Sequence, residues 1–377
     1  MVLKPKIIFF ITEDWYFWSH RLPIARAARD AGFEVMVATR VNQHKERIEN
    51  EGFKLIPIGL KRKSRNIFKE ILSIFEIVKI YHREKPDIVH HVAIKPVLYG
   101  SWAARIVGVS GIVNALAGLG FIFVAQGWKA KVLRQLVVYA YRSAFSAKNT
   151  IGIFQNPEDL KLFVEAGVVK SEKTVLIRGS GVDVSHFILL PEPKGIPTIV
   201  LASRMLWDKG VGEFVNAARI LKDDGIECHM VLVGNSDPEN PSSILEDTLR
   251  NWHFEDVVEW WGHREDMLEV FAQSNIIVLP SYREGLPKVL LEAASCGCAI
   301  VATDVSGCRE IVRHNINGLL VPPHDLKSLA DALKILIENP KLRAKMGARG
   351  REIVEAEFSE EIVVRQTMEV YKRFLQT

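Results

Sequence analysis

Short, nearly continuous apolar segments alternate with longer amphipathic segments along the whole chain. A strand that is covered on both faces has this continuous apolar character, and the amphipathic segments between such strands are typical of helices. RLPIARAARDAGF (21–33) is one predicted helix, with Gly32 as its stop signal. The strands predicted in the first half are 6–12, 34–40, 54–60, 87–91, 111–116, 149–156 and 174–180.

The alternation begins again after PEPKGIP (191–197), a segment rich in proline and glycine. Strands that alternate with helices form parallel sheets. We therefore expect an α/β protein with two Rossmann-like domains, 1–190 and 191–357, that face each other across a cleft. The terminal segment 358–377 is predicted to be a helix; it could pack on the second domain, but we expect it to cross back to the first. The strands predicted in the second half are 198–204, 228–234, 257–262, 275–280, 299–304 and 318–323.

The two halves carry opposite net charges. Residues 1–190 contain 28 Lys and Arg against 16 Asp and Glu, a net charge of +12, whereas residues 191–377 contain 21 against 29, a net charge of −8. The N-terminal half should therefore prefer an anionic surface or ligand.

Several classes of protein are disfavoured by missing motifs. No strand leads into GxGxxG, and the chain has no Walker A sequence, no Asp-x-Asp pair and no GxSxG elbow. The four cysteines lack metal-ligand spacing, so we expect reduced thiols. The N-terminus resembles neither a signal peptide nor a membrane span, which favours a cytoplasmic protein.

Two glutamates surround a predicted helix start in SYREGLPKVLLEAASCG (281–297). Glu284 and Glu292 are eight positions apart, and Pro287 suits the first turn of a helix. Free backbone N–H groups at a helix start bind anions, and a carboxylate can accept from both hydroxyls of a diol. A nucleotide sugar has two diols that flank a diphosphate. The alternative is an ordinary loop acid and an ordinary helix-face acid.

Two cations stand where such a diphosphate would need them. In ASRMLWDKGVGEF (202–214), Arg204 follows a predicted strand and Lys209 precedes the next helix. Arg offers a planar fork and Lys a point charge to phosphate oxygens. Both could instead be solvated loop residues.

Taken together, these residues resemble glycosyltransferase family 4. The resemblance rests on Arg204 and Lys209, on Gly234 at a strand end, on WWGHRED (260–266), and on the Glu284–Glu292 spacing. It covers essentially the whole chain and implies a retaining enzyme of the GT-B fold that requires no metal and no cofactor.

The resemblance also implies roles for these residues. Arg204 and Lys209 would stabilise the leaving diphosphate, Glu284 would bind hydroxyls of the donor sugar, and Glu292 would hold the ribose diol. Further donor contacts would come from the end of the predicted strand 228–234, from a segment that lies along the nucleobase, and from the backbone that follows Glu284. These residues are Gly234, His263, Arg264, Gly285, Leu286, Pro287 and Lys288.

The N-terminal half would then bind the acceptor. Many family members carry a histidine near the fifth strand, where this chain reads VNALAGLGF (113–121). Asn114 or the backbone of Gly118 and Gly120 could serve there, or histidines of other loops could. The predicted acceptor residues are His20, Arg21, His91, Lys95, Asn114, Gly118 and Gly120.

HHVAIKPVLYG and RMLWDKGV resemble a subgroup that extends polyprenyl-diphosphate-linked oligosaccharides in bacterial surface polysaccharide or glycan synthesis. This implies a nucleotide-sugar donor, with UDP favoured, and a lipid-linked acceptor. The apolar and basic segment 127–148 and the basic segment 61–69 could contact anionic lipid, or could be a solvated helix and loop. We expect a peripheral protein on the inner face of the cytoplasmic membrane.

Two alternatives belong to other functional classes. A GT-B nucleotide-sugar epimerase would need acid and base groups on the sugar and no lipid acceptor. A non-catalytic protein could use its basic half to bind an anionic polymer, although we expect no nucleic-acid partner. The set of Arg204, Lys209, Glu284 and Glu292 argues against this last alternative.

Overall fold

The structure is a computed structural model, and it describes residues 4–61, 66–116 and 128–375. The chain divides into two compact units. The first contains the residues up to Ser180 and those from Glu361 onward, and the second is Gly181–Glu360.

The described residues of the first unit contain seven strands and eight helices. The strands are β1 (Lys6–Glu13), β2 (Glu34–Arg40), β3 (Lys54–Pro57), β4 (Ile88–Val92), β5 (Gly111–Leu116), β6 (Thr150–Phe154) and β7 (Thr174–Leu176). The helices are α1 (Asp14–His20), α2 (Leu22–Asp30), α3 (Lys45–Asn50), α4 (Ile67–Glu84), α5 (Ile94–Val107), α6 (Trp128–Ala144), α7 (Pro157–Glu165) and the C-terminal α15 (Glu360–Leu375).

The second unit repeats the pattern with six strands and seven helices. The strands are β8 (Thr198–Ala202), β9 (His229–Val233), β10 (Glu259–Trp260), β11 (Ile276–Leu279), β12 (Ala299–Thr303) and β13 (Gly318–Val321). The helices are α8 (Val211–Asp223), α9 (Glu246–Phe254), α10 (Met267–Ala272), α11 (Lys288–Ser295), α12 (Ser306–Ile311), α13 (Leu326–Glu338) and α14 (Pro340–Glu357).

Each unit is built on one parallel sheet. The strand orders are β3-β2-β1-β4-β5-β6-β7 and β10-β9-β8-β11-β12-β13, and every strand pair is parallel. In both sheets the chain runs outward through its first three strands and then returns to the other side of the first, so the switch point of this doubly wound fold lies between β1 and β4 and between β8 and β11. The predicted α/β class with two Rossmann-like domains is therefore confirmed.

Both faces of each sheet are buried, which explains why the strands read as continuous apolar segments. In β1, Ile7 and Phe9 join the core on one face, while Ile8 and Phe10 join the core on the other. An alternating polar strand could not satisfy two apolar faces, so the continuous pattern is a consequence of the double covering.

Residues 181–190, which the sequence analysis placed in the first domain, belong to the second unit. Val182 bonds through its backbone to Phe358 and Glu360, and Phe187 is buried in the core of the second unit. The boundary at Ser180 therefore precedes the proline-rich segment by about ten residues, because these contacts attach the intervening segment before the first strand of the second unit begins.

The C-terminal helix belongs to the first unit from Glu361 onward. Val363, Val370 and Tyr371 of α15 are buried in the same core as Phe9. The helix therefore covers one face of the first sheet.

Candidate functional site

The predicted donor residues follow the carboxyl ends of adjacent strands in the second unit. Arg204 follows β8, Gly234 follows β9, and Glu284 lies in the loop after β11. Since β9, β8 and β11 are neighbours in a parallel sheet, the loops after them leave the same edge. This edge is where open α/β sheets bind ligands.

Lys209 and Glu284 form an ion pair. Lys209 Nζ lies 2.5 Å from Glu284 Oε1, and the two side chains are only 21% and 10% exposed. The sequence separates them by 75 positions, and only the adjacency of β8 and β11 brings them together. An ion pair of this kind can open so that the ammonium group contacts a phosphate and the carboxylate accepts from a hydroxyl.

Gly210 allows the close approach that positions Lys209. Its φ is +71°, and a Cβ there would lie 2.1 Å from the carbonyl oxygen of Pro280 at the end of β11. Only glycine fits such a contact at this φ. The turn that carries Lys209 is therefore pressed directly against the strand that leads to Glu284.

Arg204 is more exposed and is ion-paired with Asp237, whose Oδ2 lies 2.8 Å from Arg204 Nη1. The sequence analysis did not single out Asp237, because an aspartate in the segment NSDPEN carries no motif of its own. Asp237 holds the guanidinium at the strand edge.

Gly234 needs to be glycine for a similar reason. Its φ is +137°, and a Cβ would lie 1.8 Å from the carbonyl oxygen of Ser203. Its N–H donates to the Gly262 carbonyl, and its own carbonyl accepts from the indole N–H of Trp260. The chain segments that follow β8 and β9 therefore meet without an intervening side chain.

The glutamate loop runs into α11, with Pro287 as the N-cap residue and Lys288 as the first helical residue. The loop also packs closely on α12, because a Cβ on Gly307 would lie 2.6 Å from the Glu284 carbonyl oxygen and 2.7 Å from that of Gly285. The backbone of Gly285, Leu286 and Pro287 is thereby held between two helix starts.

Glu292 lies on α11 and is largely buried. Its Oε1 is 3.6 Å from Lys288 Nζ one helical turn earlier. Burial raises the pKa of Glu292 above its ordinary value, although Lys288 opposes this shift. A buried carboxylate with one distant cation still has acceptor capacity for hydroxyl groups.

His263 and Arg264 follow β10. His263 is exposed, whereas Arg264 makes a bidentate pair with Asp266, with N–O distances of 2.7 and 2.6 Å. This contact lowers the pKa of Asp266 to about 2. The carboxylate of Asp266 thus balances the positive charge of Arg264. A nucleobase bound beside this segment would therefore meet a neutral pair.

In the first unit, His91 and Asn114 are not available to a ligand. Both are fully buried, and their side chains are 2.8 Å apart. The other ring nitrogen of His91 is 3.0 Å from the Tyr81 hydroxyl, and Asn114 also bonds to Ser101. We therefore do not retain these two residues as acceptor contacts. They lie opposite each other on the adjacent strands β4 and β5, in apolar surroundings, and so hydrogen-bond to each other.

The remaining acceptor predictions differ in their surroundings. His20 stacks on Tyr16 with ring centroids 4.2 Å apart. Lys95 Nζ lies 2.9 Å from Glu70 Oε1, so it is ion-paired. Arg21 is buried beside the same sheet. Gly118 and Gly120 lie outside the described residues.

The cysteines lack a metal-binding arrangement. Cys296, Cys298 and Cys308 are buried and Cys228 is partly buried, all as free thiols. Within the described ranges, no cluster of three or more His, Cys, Asp or Glu side chains could hold a metal ion.

Comparison with protein families agrees with this geometry. Residues 6–151 match the family described as glycosyl transferase 4-like, and residues 187–353 match glycosyl transferases group 1. One match falls in each parallel-sheet unit. The chain is a glycosyltransferase with a glycosyl transferase 4-like domain followed by a glycosyl transferases group 1 domain. The predicted family and the predicted enzyme class are confirmed.

Curated relatives of this glycosyltransferase extend over most of its length. N,N'-diacetylbacillosaminyl-diphospho-undecaprenol alpha-1,3-N-acetylgalactosaminyltransferase of Campylobacter jejuni is 29% identical over 368 residues, which cover 94% of this chain and 95% of that protein. UDP-Gal:alpha-D-GlcNAc-diphosphoundecaprenol alpha-1,3-galactosyltransferase of Escherichia coli is 25% identical over 280 residues, which cover 71% and 70%.

Solved structures support the fold of the glycosyltransferase. Anabaena Alr3699/HepE, crystallised with UDP and glucose, superposes with a TM-score of 0.76 at 19% sequence identity, covering 98% of this chain and 99% of that one. At this identity the likeness establishes the GT-B fold alone.

Proposed function

We propose that this glycosyltransferase moves a hexose or N-acetylhexosamine from a UDP-sugar to a polyprenyl-diphosphate-linked sugar in bacterial surface polysaccharide or glycan synthesis. The two relatives described above are named for diphosphoundecaprenol-linked acceptors, and one of them for a UDP-Gal donor. The structural neighbour was crystallised with UDP. Family membership favours transfer over the epimerase and binding-protein alternatives.

The Lys209–Glu284 pair is the observation that carries the proposal. The two side chains hold a positive and a negative group 2.5 Å apart at the ligand-binding edge of the sheet. A nucleotide sugar presents anionic phosphate next to neutral hydroxyls, so Lys209 can turn to the diphosphate while Glu284 accepts from the sugar. Arg204 adds a second cation from the neighbouring strand end.

Glu292 and the loop before it complete the donor site. The ionised carboxylate of Glu292 would accept from the ribose diol, and the backbone of Gly285–Lys288 would lie along the sugar and phosphate. Gly234 would let the nucleotide approach the strand end, with His263 and Arg264 along the base.

The reaction that fits this site needs no protein nucleophile. The bond between the anomeric carbon and the phosphate oxygen breaks, and the acceptor hydroxyl oxygen forms its bond on the same face, which retains the configuration. The acceptor proton passes to the leaving phosphate. Arg204 and Lys209 stabilise the negative charge that develops there, which is the role a metal ion plays in other transferases.

A lipid-linked acceptor requires access to a membrane surface, and α4 is suited to provide it. Phe68, Leu72 and Phe75 are 80%, 66% and 60% exposed and recur along one side of the helix. The basic segment 61–69 leads into this helix. Apolar residues beside lysine and arginine favour an anionic bilayer interface.

Helix α6 adds a second exposed apolar group, with Leu133, Leu136 and Tyr139 open to solvent. Within residues 4–61, 66–116 and 128–375, none of the helices combines the length and apolar composition that a membrane span requires. We propose that α4 and α6 rest on the inner face of the cytoplasmic membrane.

Calorimetric titration with UDP, GDP and NAD, each with and without EDTA, tests the donor site directly. We expect UDP to bind with the same affinity in EDTA, because Arg204 and Lys209 supply the positive charge. Binding of NAD alone would contradict the proposal, and loss of UDP binding in EDTA would contradict its metal independence. Transfer is then assayed with a prenyl-diphosphate-linked sugar, and the anomeric configuration of the product is read by NMR.

A further inference from the structure

A cavity lies within the first unit, beside the carboxyl-end half of its sheet. Arg21 at the start of α2, His90 in β4, Gln155 after β6 and Thr367 of α15 are among the residues that line it. The space between these residues is about 250 Å³, including its opening to solvent. That figure includes open solvent, and the enclosed room admits about one atom the size of a water oxygen, so it suits a single oxygen of a ligand rather than a whole molecule.

Arg21 brings a positive charge into this cavity without a matching carboxylate. The residue is only 3% exposed. Its Nη1 donates to the His20 carbonyl at 3.1 Å, and its guanidinium lies 6.0 Å from the centroid of the Tyr16 ring. Among the described residues, no acidic side chain pairs with Arg21, and its buried Nε has no hydrogen-bond partner.

A buried cation in this state is costly, because a charge removed from water needs a counter-charge and hydrogen bonds. The buried arginine of the second unit, Arg343, shows the usual solution: it pairs with Glu192 and donates to two backbone carbonyls. A bound anion would supply the counter-charge that Arg21 lacks among the described residues.

His90 presents a second polar atom to the same cavity. It is 1% exposed, its Nδ1 lies 2.5 Å from the Tyr371 hydroxyl, and its ring stacks on Phe9. Its Nε2 is buried without a hydrogen-bond partner. The Tyr371 contact and the stacking hold the ring in place, so this nitrogen is positioned for a ligand.

We propose that this cavity is an oxyanion pocket in which Arg21 and His90 hold one oxygen of a phosphoryl group. A guanidinium fork with an adjacent imidazole suits phosphate oxygens. The group could come from free phosphate or from the diphosphate of the acceptor, and the second source rests on the proposed function. The sheet edge on which the pocket lies is the one at which α/β domains bind ligands.

Thermal unfolding of the full chain in inorganic phosphate, against sodium chloride of equal ionic strength, tests the pocket without any transfer reaction. We expect a saturable rise of about 3–6 °C at ten times the dissociation constant. Arg21→Met should abolish the rise and should melt no lower than the wild type in phosphate-free buffer, since it removes an unpaired buried charge.

Arg21→Lys keeps the charge and loses the fork, and should weaken phosphate binding at least ten-fold. Arg26→Met is the matched control, because it removes an exposed cation from the same helix. Its response to phosphate should equal that of the wild type.

A short-chain prenyl-diphosphate-linked sugar distinguishes the two sources. If the acceptor supplies the phosphoryl group, it should raise the melting temperature, compete with phosphate, and show a KM at least ten-fold higher in Arg21→Met with kcat and donor KM unchanged. If free phosphate is the ligand, only phosphate should shift the melting temperature. Either result supports the pocket.

An equal phosphate response in Arg21→Met and wild type would overturn the pocket, as would the absence of a response to both ligands. Arg21→Met melting well below the wild type, with neither ligand shifting the wild type, would mean that Arg21 is a structural residue. UDP binding in the second unit is measured separately, so failure of the pocket and failure of the transferase proposal give different results.

Discussion

At the residue scale, Glu284 and Glu292 have different electrostatic surroundings although they share one loop and helix. Glu284 is directly paired with Lys209 at 2.5 Å, whereas Glu292 is buried with Lys288 at 3.6 Å. Substitutions of the two glutamates should therefore have different effects.

Glu284→Ala should lower turnover about 100-fold or more, while UDP affinity stays equal or becomes tighter. The proposed partner of Glu284 is the donor sugar, which UDP lacks, and Lys209 loses a carboxylate that competes with phosphate. Steady-state kinetics and calorimetry with UDP measure the two effects. A large loss of UDP affinity would contradict the assignment of Glu284 to the sugar.

Glu292→Gln should weaken UDP binding directly. In the wild type, UDP affinity should fall as the pH is lowered through the pKa of Glu292, because only the ionised carboxylate accepts from both ribose hydroxyls and burial places that pKa above its ordinary value. Calorimetric titrations from pH 8 down to pH 5 should show this fall in the wild type. The same fall in Glu292→Gln would assign it to another group.

His91 provides a test of stability against pH. Burial lowers its pKa to about 4 in the folded protein, against about 6.5 when unfolded. The unfolded chain therefore binds more protons between these values, and the free energy of unfolding should fall by up to about 3 kcal/mol as the pH is lowered through this window. His90 acts in the same direction.

Melting temperatures measured from pH 8 to pH 4 check this prediction. His91→Gln should melt lower than the wild type at pH 8, because it breaks a buried hydrogen-bond network, and should show a shallower fall with pH. An unchanged slope would mean that His91 is not the group that titrates.

At the element scale, the turn between β8 and α8 determines the position of Lys209. Gly210 and Gly225 stand before and after α8 with the same φ of +71°, but only Gly210 would bring a Cβ against another strand. Comparing substitutions at these two glycines therefore separates the effect of backbone strain from the effect of steric contact.

Gly225→Ala should cost about 1–2 kcal/mol of stability through its left-handed backbone alone, with UDP binding unchanged. Gly210→Ala should cost more and should also weaken UDP binding, because the added methyl would displace the turn from Pro280. Chemical denaturation and calorimetry measure the two quantities. Equal effects of the two substitutions would show that the close approach to β11 has no bearing on the site.

At the scale of the whole molecule, the exposed apolar side of α4 should govern membrane association. Phe68→Ser and Phe75→Ser together should lower binding to liposomes that contain anionic lipid at least several-fold, because each removes an aromatic side chain from the interface. Phe254→Ser is the matched control, since Phe254 of the second unit is also 80% exposed.

Liposome flotation with and without anionic lipid measures this binding. UDP affinity should be the same in all these variants, because none of the substituted residues belongs to the proposed donor site. Flotation of the double variant at the wild-type level would exclude α4 as the docking surface.

The sequence by itself determined the class of fold and the family. Continuous apolar segments predict strands buried on both faces, and the residues after β8 and β11 carry a family pattern that can be read without coordinates. These features are local in sequence, since a strand and its following loop lie within about a dozen positions.

Only the tertiary structure decided which residues meet. The pairing of Lys209 with Glu284, the role of Asp237 and the burial of His91 against Asn114 all depend on strand order, which the sequence pattern does not specify. Arg21 illustrates the physical reason. Its sequence context resembles that of any cation beside a helix start, whereas its lack of an acidic partner among the described residues follows from the strands and the C-terminal helix that enclose it.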